Sequence, residues 1–405
     1  MNVKKSAPHL RKLLLFTPRL SGGGMERVVS TLSLNAPNWV DIIIATVLNS
    51  KSSYPIKHLV IKLPEPRNFA SMLKLALSFN KMLWRYRPNA VIFFGKSGVT
   101  EYLLLLNTYP FSRLILRIQN YKFEKVFNKG LKQRLARLRS KFVFKVIADN
   151  IVAISKPIKD KLISEYGIDA RKITVIYNPC DISYVKSLAC EVLEGELQHI
   201  FSCPVIINVG RLIRAKGQWH LIRAFRLVSE HIPEAKLVII GEGILRTYFQ
   251  KLIADLRLNN KVFLLGWRSN PFKYMARSTL FCFPSLWEGF PNVIVEALAC
   301  GLPVMSADCL SGPREILAPG TRYKVYRLKK PEYAEYGILM PVMDGKLYSA
   351  SDPLTWQEEA WAEEIIRCLT NPEKLSEYRA KASSRAKDFD ARKIAKKYFE
   401  VLLKE

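Results

Sequence analysis

Short apolar, β-branched runs alternate with helical patterns along almost the whole chain, and this alternation limits the fold more than any other feature of the sequence. In the first half the strand-like runs include KLLLF, DIIIATV, AVIFF, SRLIL and ITVIY. After a less regular stretch near residues 178–203, the alternation restarts with PVIINVG and AKLVIIG. Repeated strand–helix alternation is typical of parallel sheets covered by helices. The sequence therefore predicts an α/β protein with two such sheets.

The length of the chain, 405 residues, predicts two domains that each bury a core of their own. We expect the first domain over residues 1–190, the second over 191–385 and a C-terminal helix over 386–405. No apolar run approaches the roughly 18 residues of a membrane span, and the basic, then apolar start of the chain is interpreted as a first strand. Seven cysteines without a paired spacing favour the reducing cytoplasm.

Positive charge is concentrated in the first half of the chain. Residues 1–190 contain 32 Lys and Arg against 10 Asp and Glu, whereas residues 191–405 contain 31 against 25. The densest basic segment, residues 121–147, has an apolar stripe at helical spacing and basic residues beside it. This pattern suits a helix lying on acidic lipid head groups, but a core-packed helix with a solvated charged face shows the same periodicity. The stripe consists of Leu131, Leu135, Leu138 and Phe142, flanked by Lys132, Arg134, Arg139 and Lys141.

Four glycine-containing loops follow predicted strands: TPRLSGGGMER, NVGRLIRAKGQWH, LVIIGEGILR and FLLGWRSN. Open parallel sheets bind ligands beyond the carboxyl ends of their strands, and glycine together with a helix start favours a bound anion. In the second loop, Arg211 and Lys216 can neutralise the charge on a departing nucleoside diphosphate. For each loop alone, a tight turn or a solvated cation such as Arg214 is the alternative. The order of all four predicts a nucleotide-diphosphate site.

The segment WEGFPNVIVEALACGLPV places two glutamates around the start of a helix. Pro291 suits the first helical position, so Glu288 is predicted in the loop before the helix and Glu296 about one and a half turns into it. Backbone N–H groups after Phe290 would then face the same space and bind sugar hydroxyls or phosphate. The alternatives are charge stabilisation of the helix N-terminus for Glu288 and a surface acid for Glu296.

Several of these motifs together resemble glycosyltransferase family 4, whose members are retaining enzymes of the GT-B architecture. The resemblance lies in NVGRLIRAKG, GEG, LGW and FPSLWEGFPNVIVEALACGLPVMSADCLSGPREIL, and SGGGMERVV and VIYNP are similar to family features as well. It implies two Rossmann-like domains that face each other across a cleft. The N-terminal domain would bind the acceptor, the C-terminal domain would bind the nucleotide sugar, and the last helix would return to the N-terminal domain.

The resemblance also implies roles for individual residues. Glu288 is expected to lie against the donor sugar and Glu296 to accept hydrogen bonds from the ribose. Arg211 and Lys216 are expected to bind the diphosphate, so that Glu288, Arg211 and Lys216 form the catalytic group. The predicted nucleotide-sugar site consists of Gly23, Gly24, Arg211, Lys216, Gly241, Gly243, Gly266, Trp267, Glu288, Gly289, Phe290, Pro291, Asn292, Val293 and Glu296.

One departure from the family concerns the acceptor side. Family members often carry a histidine in an N-terminal-domain loop, whereas here the loop after SRLIL reads RIQNYK, so that Gln119 and Asn120 stand at that place. Arg314 and Glu315 in SGPREIL resemble a subgroup among bacterial polysaccharide and lipid-linked oligosaccharide transferases, although packing and capping at a helix start explain them equally well.

No metal or cofactor is expected. The one Asp-x-Asp, Asp388 and Asp390, is interpreted as the start of the last helix, with Asp390 as its N-cap.

The expected reaction is the retaining transfer of a hexose or N-acetylhexosamine from a nucleoside-diphosphate sugar to a lipid-linked glycan in cell-envelope polysaccharide or glycan assembly. A UDP-sugar is expected from the subgroup resemblance, with GDP as the alternative. The basic first half predicts attraction to an anionic membrane, and so a cytoplasmic protein peripheral to the inner face of the cytoplasmic membrane. A soluble transferase acting on a small sugar or sugar phosphate is the alternative within this class. A nucleic-acid-binding protein, suggested by the basic composition, lacks a recognised motif and leaves the glutamate pair unexplained.

Overall fold

The computed structural model describes the chain in six stretches. For residues 131–134, 402 and 403 it describes the backbone alone. Gly22, Gly23 and Asn120, and the side chains of Lys132 and Arg134, therefore lie outside what is described, so the expectations for them stay predictions. The described stretches are residues 10–20, 24–48, 55–95, 98–119, 131–322 and 328–403.

Strands and helices alternate within these residues as the sequence predicts. The strands are β1 Arg11–Thr17, β2 Val40–Thr46, β3 Leu59–Lys62, β4 Ala90–Phe94, β5 Arg113–Ile118, β6 Asn150–Ala153, β7 Ile173–Val175, β8 Val205–Val209, β9 Lys236–Ile240, β10 Val262–Gly266, β11 Leu280–Phe283, β12 Val304–Ala307, β13 Glu332–Ala334 and β14 Gly337–Met340. The α-helices are α1 Gly24–Leu34, α2 Phe69–Tyr86, α3 Gly98–Leu105, α4 Leu131–Phe142, α5 Lys156–Tyr166, α6 Ile182–Ala189, α7 Gly195–Gln198, α8 Gln218–His231, α9 Arg246–Asp255, α10 Phe272–Met275, α11 Asn292–Ala299, α12 Pro313–Leu317, α13 Trp356–Thr370, α14 Pro372–Ala386 and α15 Ala391–Leu403.

The chain divides into two compact units. Unit 1 comprises residues 1–179 and 391–405, and unit 2 comprises residues 180–390. These divisions fall after residues 179 and 390, whereas the sequence predicts divisions after residues 190 and 385. The stretch around α6 lies in unit 2, where Asn270 Nδ2 donates to the carbonyl of Leu188 at 2.8 Å and to the Glu191 carboxylate at 2.9 Å.

Unit 1 contains a seven-stranded sheet in the order β3-β2-β1-β4-β5-β6-β7, and all its paired strands are parallel. The chain crosses from β1 towards β3 in one direction and from β4 towards β7 in the other. Right-handed crossovers therefore place α2, α3, α4 and α5 on one side of the sheet and α1 on the opposite side.

Helix α2 has a clear capping signal at its start and an apolar inner side. Asn68 and Ser71 form a reciprocal capping box at its start, which satisfies backbone N–H groups that the first turn leaves without helical partners. Its inner side buries Leu75, Phe79 and Leu83 against the sheet, as the helical spacing of these residues requires.

Helix α15 belongs to unit 1 although it comes last in the chain. Ile394, Tyr398 and Phe399 are buried in the same core as residues of β1 and α1, and α15 packs against α1 on that side of the sheet. The terminal helix therefore covers one face of a sheet formed by the first half of the chain.

The opposite side of unit 1 carries many large apolar side chains that are exposed. On α2, Phe69 is 86% and Leu77 is 64% exposed, and the exposed side chains continue across α3 and α4 into the π-helical turn Val143–Ile147. The apolar stripe of the basic segment is therefore not packed into the core of unit 1 at its described positions. We call this surface the outer helix face; it consists of Phe69, Leu73, Leu77, Trp84, Tyr102, Leu106, Leu135, Leu138, Phe142 and Val146.

Unit 2 contains the second sheet, in the order β10-β9-β8-β11-β12-β14-β13, with only the short β13–β14 pair antiparallel among the described strands. From β8 the chain moves outwards through β9 to β10, and it then returns to the other side of β8 with β11. The strand order therefore reverses between β8 and β11, and ligands bind at such a point in open parallel sheets. No helix within the described ranges is both long and apolar enough to span a membrane.

Candidate active site

The loops that leave β8 and β11 flank the reversal point of the second sheet. The first contains Arg211 and Lys216 and ends in α8, and the second contains Glu288 and ends in α11. Because parallel strands present their carboxyl ends at one edge, both loops lie at the edge where a ligand is expected. The structure thus brings together loops that the sequence separates by about seventy residues.

Lys216 and Glu288 form an ion pair across this point, with Lys216 Nζ 2.5 Å from Glu288 Oε1. Their side chains are only 18% and 13% exposed. The ammonium also lies 5.3 Å from the centroid of the Phe283 ring at the end of β11, a cation–π contact. A cation and a carboxylate are therefore fixed against each other before any ligand binds.

Two buried amides hold the β8 loop in place. Gln218 Nε2 lies within 3.3 Å of three oxygens: the Asn208 side chain and the carbonyls of Gly210 and Arg211. Asn208 Nδ2 in turn donates to the carbonyl of Cys282 at 2.8 Å, which ties β8 to β11. Sequence reasoning missed both residues, because an isolated Asn or Gln in an apolar stretch gives no indication of its partner.

The loop containing Glu288 is held by a neighbouring segment of chain. Glu288 N donates to the carbonyl of Leu310 at 2.8 Å, and Ser311 N donates to the carbonyl of Glu288 at 3.0 Å. Ser311 Oγ also donates to the carbonyl of Gly289 at 2.6 Å. The carboxylate therefore projects from a backbone fixed on one side by the segment that follows β12.

Helix α11 begins at Asn292, with Pro291 as its N-cap residue. The interpretation of Pro291 as the first helical residue is wrong by one position, since its ψ of 88° is not helical. Glu296 is buried, at 7% exposure, so the surface-acid alternative is wrong. Phe290 is buried and packs on Phe389, with ring centroids 5.6 Å apart. The backbone N–H groups of Asn292 and Val293 belong to the first turn of the helix.

Gly241 and Gly243 have a packing role that the sequence does not reveal. A Cβ atom at Gly241 would overlap the carbonyl of Gly210, and one at Gly243 would overlap the backbone of Leu212. Gly241 also has φ of +145°, a conformation that L-residues rarely adopt. These glycines let the β9 loop approach the β8 loop, where Leu212 N donates to the carbonyl of Glu242 at 2.9 Å.

The remaining predicted residues of the donor site lie at the same edge of the sheet. Gly266 ends β10, and Trp267 follows it with 71% of its surface exposed. Arg211 is also exposed, whereas Gly289 is buried. An exposed aromatic ring and an exposed guanidinium are suitable groups for a nucleobase and a phosphate.

Arg214 is exposed, as expected for a solvated cation, but its guanidinium also bonds to the backbone of a distant turn. Its guanidinium donates from Nε and Nη2 to the carbonyl of Gly345, at 3.2 and 3.0 Å. Trp219 Nε1 donates to the next carbonyl, that of Lys346, at 2.7 Å. The turn at residues 344–346 therefore accepts hydrogen bonds from both the β8 loop and the first turn of α8.

Arg314 forms a buried ion-pair cluster rather than a helix cap. It makes bidentate bonds to Asp308, at 2.7 and 3.0 Å, and to Glu332, at 2.8 and 2.9 Å. The pKa of Asp308 is raised because burial outweighs the stabilising bond from Arg314. This cluster joins the end of β12, α12 and β13 beside the segment that holds Glu288.

The Cys309 thiol lies next to the glutamate loop but is not suited to be a nucleophile. Burial, and then the negative charge of Glu288, raise its pKa well above the ordinary value. Reactive cysteines have a lowered pKa and an accessible thiolate, so Cys309 stays protonated at neutral pH.

The Asp388 and Asp390 pair lies next to the start of the last helix. Asp388 bonds to Arg385 at 2.7 Å, and α15 begins directly after Asp390. The described part of the chain contains no group of three His, Cys, Asp or Glu side chains positioned to hold a metal ion.

Comparison with known proteins identifies both halves of the chain. Residues 201–332 match the family model for glycosyl transferases group 1, and residues 22–184 match that for Glycosyltransferase Family 4. An uncharacterized glycosyltransferase of Methanocaldococcus jannaschii is 35% identical over 81% of this chain and 82% of its own length. A Campylobacter jejuni enzyme, N-acetylgalactosamine-N,N'-diacetylbacillosaminyl-diphospho-undecaprenol 4-alpha-N-acetylgalactosaminyltransferase, is 30% identical over 97% of this chain and its entire length.

Solved structures show the same architecture. HepE of Anabaena in complex with UDP superimposes with a TM-score of 0.75 at 19% identity, over 97% of this chain and 99% of its own. The lipopolysaccharide outer core galactosyltransferase WaaB, in its apo form, superimposes with a TM-score of 0.66 at 20% identity over the same shares. Two parallel α/β units of this kind define a glycosyltransferase of the GT-B class. The chain belongs to glycosyltransferase family 4, as the sequence motifs indicate.

Proposed function

We propose that this glycosyltransferase transfers a hexose or N-acetylhexosamine from a UDP-sugar to a lipid-linked glycan, with retention of the anomeric configuration. The observation that carries the proposal is the Lys216–Glu288 pair at the reversal point of the second sheet. Retaining transfer needs stabilisation of the leaving diphosphate more than a strong nucleophile, and a cation beside a helix start supplies it.

In this proposal the donor binds to unit 2. Arg211 and Lys216 neutralise the diphosphate, and Glu296 accepts hydrogen bonds from the ribose. Glu288 faces the donor sugar, and Trp267 provides an exposed ring for the base. Two considerations support UDP: HepE was solved in complex with UDP, and an Escherichia coli relative named UDP-Gal:alpha-D-GlcNAc-diphosphoundecaprenol alpha-1,3-galactosyltransferase is 31% identical over 39% of this chain.

The names of the relatives support a lipid-linked acceptor. The Campylobacter enzyme, which this chain matches over nearly its full length, and the Escherichia coli enzyme both act on a diphospho-undecaprenol-linked sugar by name. Such an acceptor is held in a membrane by its lipid, so an enzyme acting on it benefits from binding the membrane surface.

The outer helix face of unit 1 supports membrane binding. Clusters of exposed apolar side chains mark interaction surfaces, and exposed basic residues accompany this one. Apolar side chains inserted among acidic head groups, with basic residues beside them, are how a surface-bound protein contacts an anionic membrane. These features support the proposal that the enzyme binds the inner face of the cytoplasmic membrane. The exposed basic side chains of these helices include Lys74, Lys81, Arg85, Arg137 and Lys141, and Lys145 adjoins them in the π-helical turn.

The direct test is transfer of labelled sugar from UDP- and GDP-sugars into a lipid extract of the source cells, followed in the organic phase. Label in lipid from one UDP-sugar, absent with the Lys216→Ala variant, is the expected result, and NMR of the product then reports the anomeric configuration. Label in a water-soluble sugar or sugar phosphate would show that the acceptor is a small molecule and not a lipid-linked glycan. No turnover of any nucleotide sugar would overturn the proposal.

A further inference from the structure

The carboxyl edge of the first sheet contains a second fixed polar group, at Gln119. The strand order of unit 1 reverses between β1 and β4, so this sheet also has a ligand-binding edge by topology. Gln119 follows β5, but its amide extends over the reversal point. Its Nε2 lies 3.1 Å from the sulfur of Met25 in α1, and it lies 3.8 Å from where a Cβ would stand on Gly95, directly after β4.

The orientation of the Gln119 amide is fixed by Arg117, a fully buried residue of β5. Arg117 Nη1 donates to Gln119 Oε1 at 2.8 Å. A guanidinium has donors and no acceptor, so the amide must turn its oxygen towards Arg117. Its NH2 group therefore faces the reversal point.

Arg117 is itself held on its other sides. Nε donates to the Tyr398 hydroxyl of α15 at 2.8 Å, Nη2 donates to Asn178 Oδ1, and the guanidinium lies over the ring of Phe94 with a separation of 5.4 Å. These contacts leave the guanidinium one position, so the amide that it orients has one position as well.

The NH2 group of Gln119 can still donate a strong hydrogen bond to a ligand. A thioether sulfur is a weak acceptor, so the contact with Met25 meets the demand of the NH2 group only poorly. An oxygen placed at the reversal point would be a better partner. A carboxamide does not titrate between pH 2 and 12, so it offers a hydrogen bond without acting as a base.

We propose that Gln119 donates a hydrogen bond from Nε2 to an oxygen of the acceptor sugar, and that Arg117 is the positioning residue that sets this polarity. The inference rests on the proposed function in taking unit 1 as the acceptor-binding unit. It adds a residue that recognises the acceptor through donation alone, and it excludes Gln119 as the group that removes a proton.

The variant Gln119→Glu separates this role from a structural one. A glutamate has the same shape and still accepts from Arg117 with greater strength, because the bond becomes charge-assisted. If Gln119 only supports Arg117, transfer is retained. If Gln119 donates to the acceptor, the ionised carboxylate offers no N–H, and we expect kcat/KM for the acceptor to fall about 100-fold.

The assay measures transfer from the productive nucleotide sugar into lipid acceptor, for full-length wild type, Gln119→Glu and the control Gln250→Glu, which makes the same change at an exposed position of α9. We expect the KM for the nucleotide sugar and the thermal midpoint to stay unchanged.

Acceptor kinetics of Gln119→Glu within threefold of wild type would overturn the inference, as would a change confined to the nucleotide-sugar KM. Absence of transfer by the wild type would instead overturn the proposed function, so the two failures are distinguishable.

Discussion

Lys216 and Glu288 come from loops 72 residues apart in sequence, yet Nζ and Oε1 lie 2.5 Å from each other. Each side chain is largely shielded from solvent, which strengthens the attraction relative to a surface pair. A ligand that carries a diphosphate competes with Glu288 for the ammonium. In the proposed function, the pair would hold the cation in position until the donor diphosphate takes over part of its bonding.

We expect Lys216→Ala and Glu288→Ala each to lower kcat/KM for transfer by about 100- to 1000-fold, because each removes a charged group at the reacting diphosphate or sugar. The double variant should lose little more than the worse single variant, since the two residues act as a unit. Steady-state kinetics with the productive UDP-sugar measures this.

The matched control for these substitutions is Lys251→Ala, which breaks an exposed ion pair with Asp255 within α9. Near-normal turnover of either site variant, with circular dichroism showing a folded protein, would refute the assignment of the pair to catalysis.

Glu296→Gln should weaken UDP binding about tenfold while leaving the fold intact. The buried carboxylate is proposed to accept bonds from two ribose hydroxyls, and bonds to a charged acceptor contribute roughly 1.5–3 kcal/mol each. Isothermal titration calorimetry with UDP measures the loss. Glu359→Gln, an exposed change on α13, is the control; equal UDP affinity of Glu296→Gln and wild type would mean that Glu296 only packs within unit 2.

Phe69→Ser combined with Leu77→Ser should reduce binding to vesicles containing anionic lipid by at least tenfold, since fully burying a large apolar side chain contributes about 1.5–3 kcal/mol. Lys141→Glu with Lys145→Glu should do the same at low salt and much less at high salt. Vesicle sedimentation at two salt concentrations separates the apolar from the electrostatic part.

Val192→Ser with Leu347→Ser, which removes two exposed apolar side chains from unit 2, is the control for the membrane experiment. All variants should bind UDP as the wild type does. Unchanged vesicle binding by the outer-face variants would exclude this face as the membrane contact.

Glu358 should make the protein sensitive to acid. Its carboxylate is buried, which opposes ionisation, but bonds from His220, Arg223 and the backbone of Thr355 outweigh burial and lower its pKa below 4.5. A lowered pKa in the folded state means that the stabilisation is complete above the unfolded pKa and is lost as pH falls through the folded one. Thermal midpoints of the wild type should therefore fall below about pH 4.5.

The variant Glu358→Gln should be less stable at neutral pH and should show a flatter acid limb in the same melting series. An acid limb parallel to that of the wild type would show that other carboxylates dominate.

The elements that could be predicted from sequence are those determined locally. Helix α2 is delimited by an apolar face of period 3.6 and by the capping signal at Asn68, so its bounds follow from neighbouring residues. The loops at strand ends could also be recognised locally, because glycine and charged residues directly after a strand indicate a tight turn or an anion-binding loop. The alternation of strands and helices predicted both sheets, whereas the GT-B class followed from the resemblance of the motifs to glycosyltransferase family 4.

The contacts that could not be predicted join polar groups far apart in sequence. Arg214 bonds to a carbonyl 131 residues away, and Arg117 bonds to a hydroxyl 281 residues away. Nothing near either arginine in the sequence specifies its partner, because an acceptor can be supplied by any backbone carbonyl that the fold brings close. Sequence reasoning could therefore recognise the charged residues of the site, but not the long-range hydrogen bonds that hold the surrounding loops in place.

The return of α15 to unit 1 affects how the protein is made. During synthesis all of unit 2 leaves the ribosome before Ile394, Tyr398 and Phe399 are available to complete the first core. Unit 2 has all its residues in one continuous stretch and can fold as it emerges, whereas in the nascent unit 1 α1 covers that face of the sheet without α15. A stop codon in place of Ala391 would therefore remove core side chains from the half of the enzyme that is encoded first.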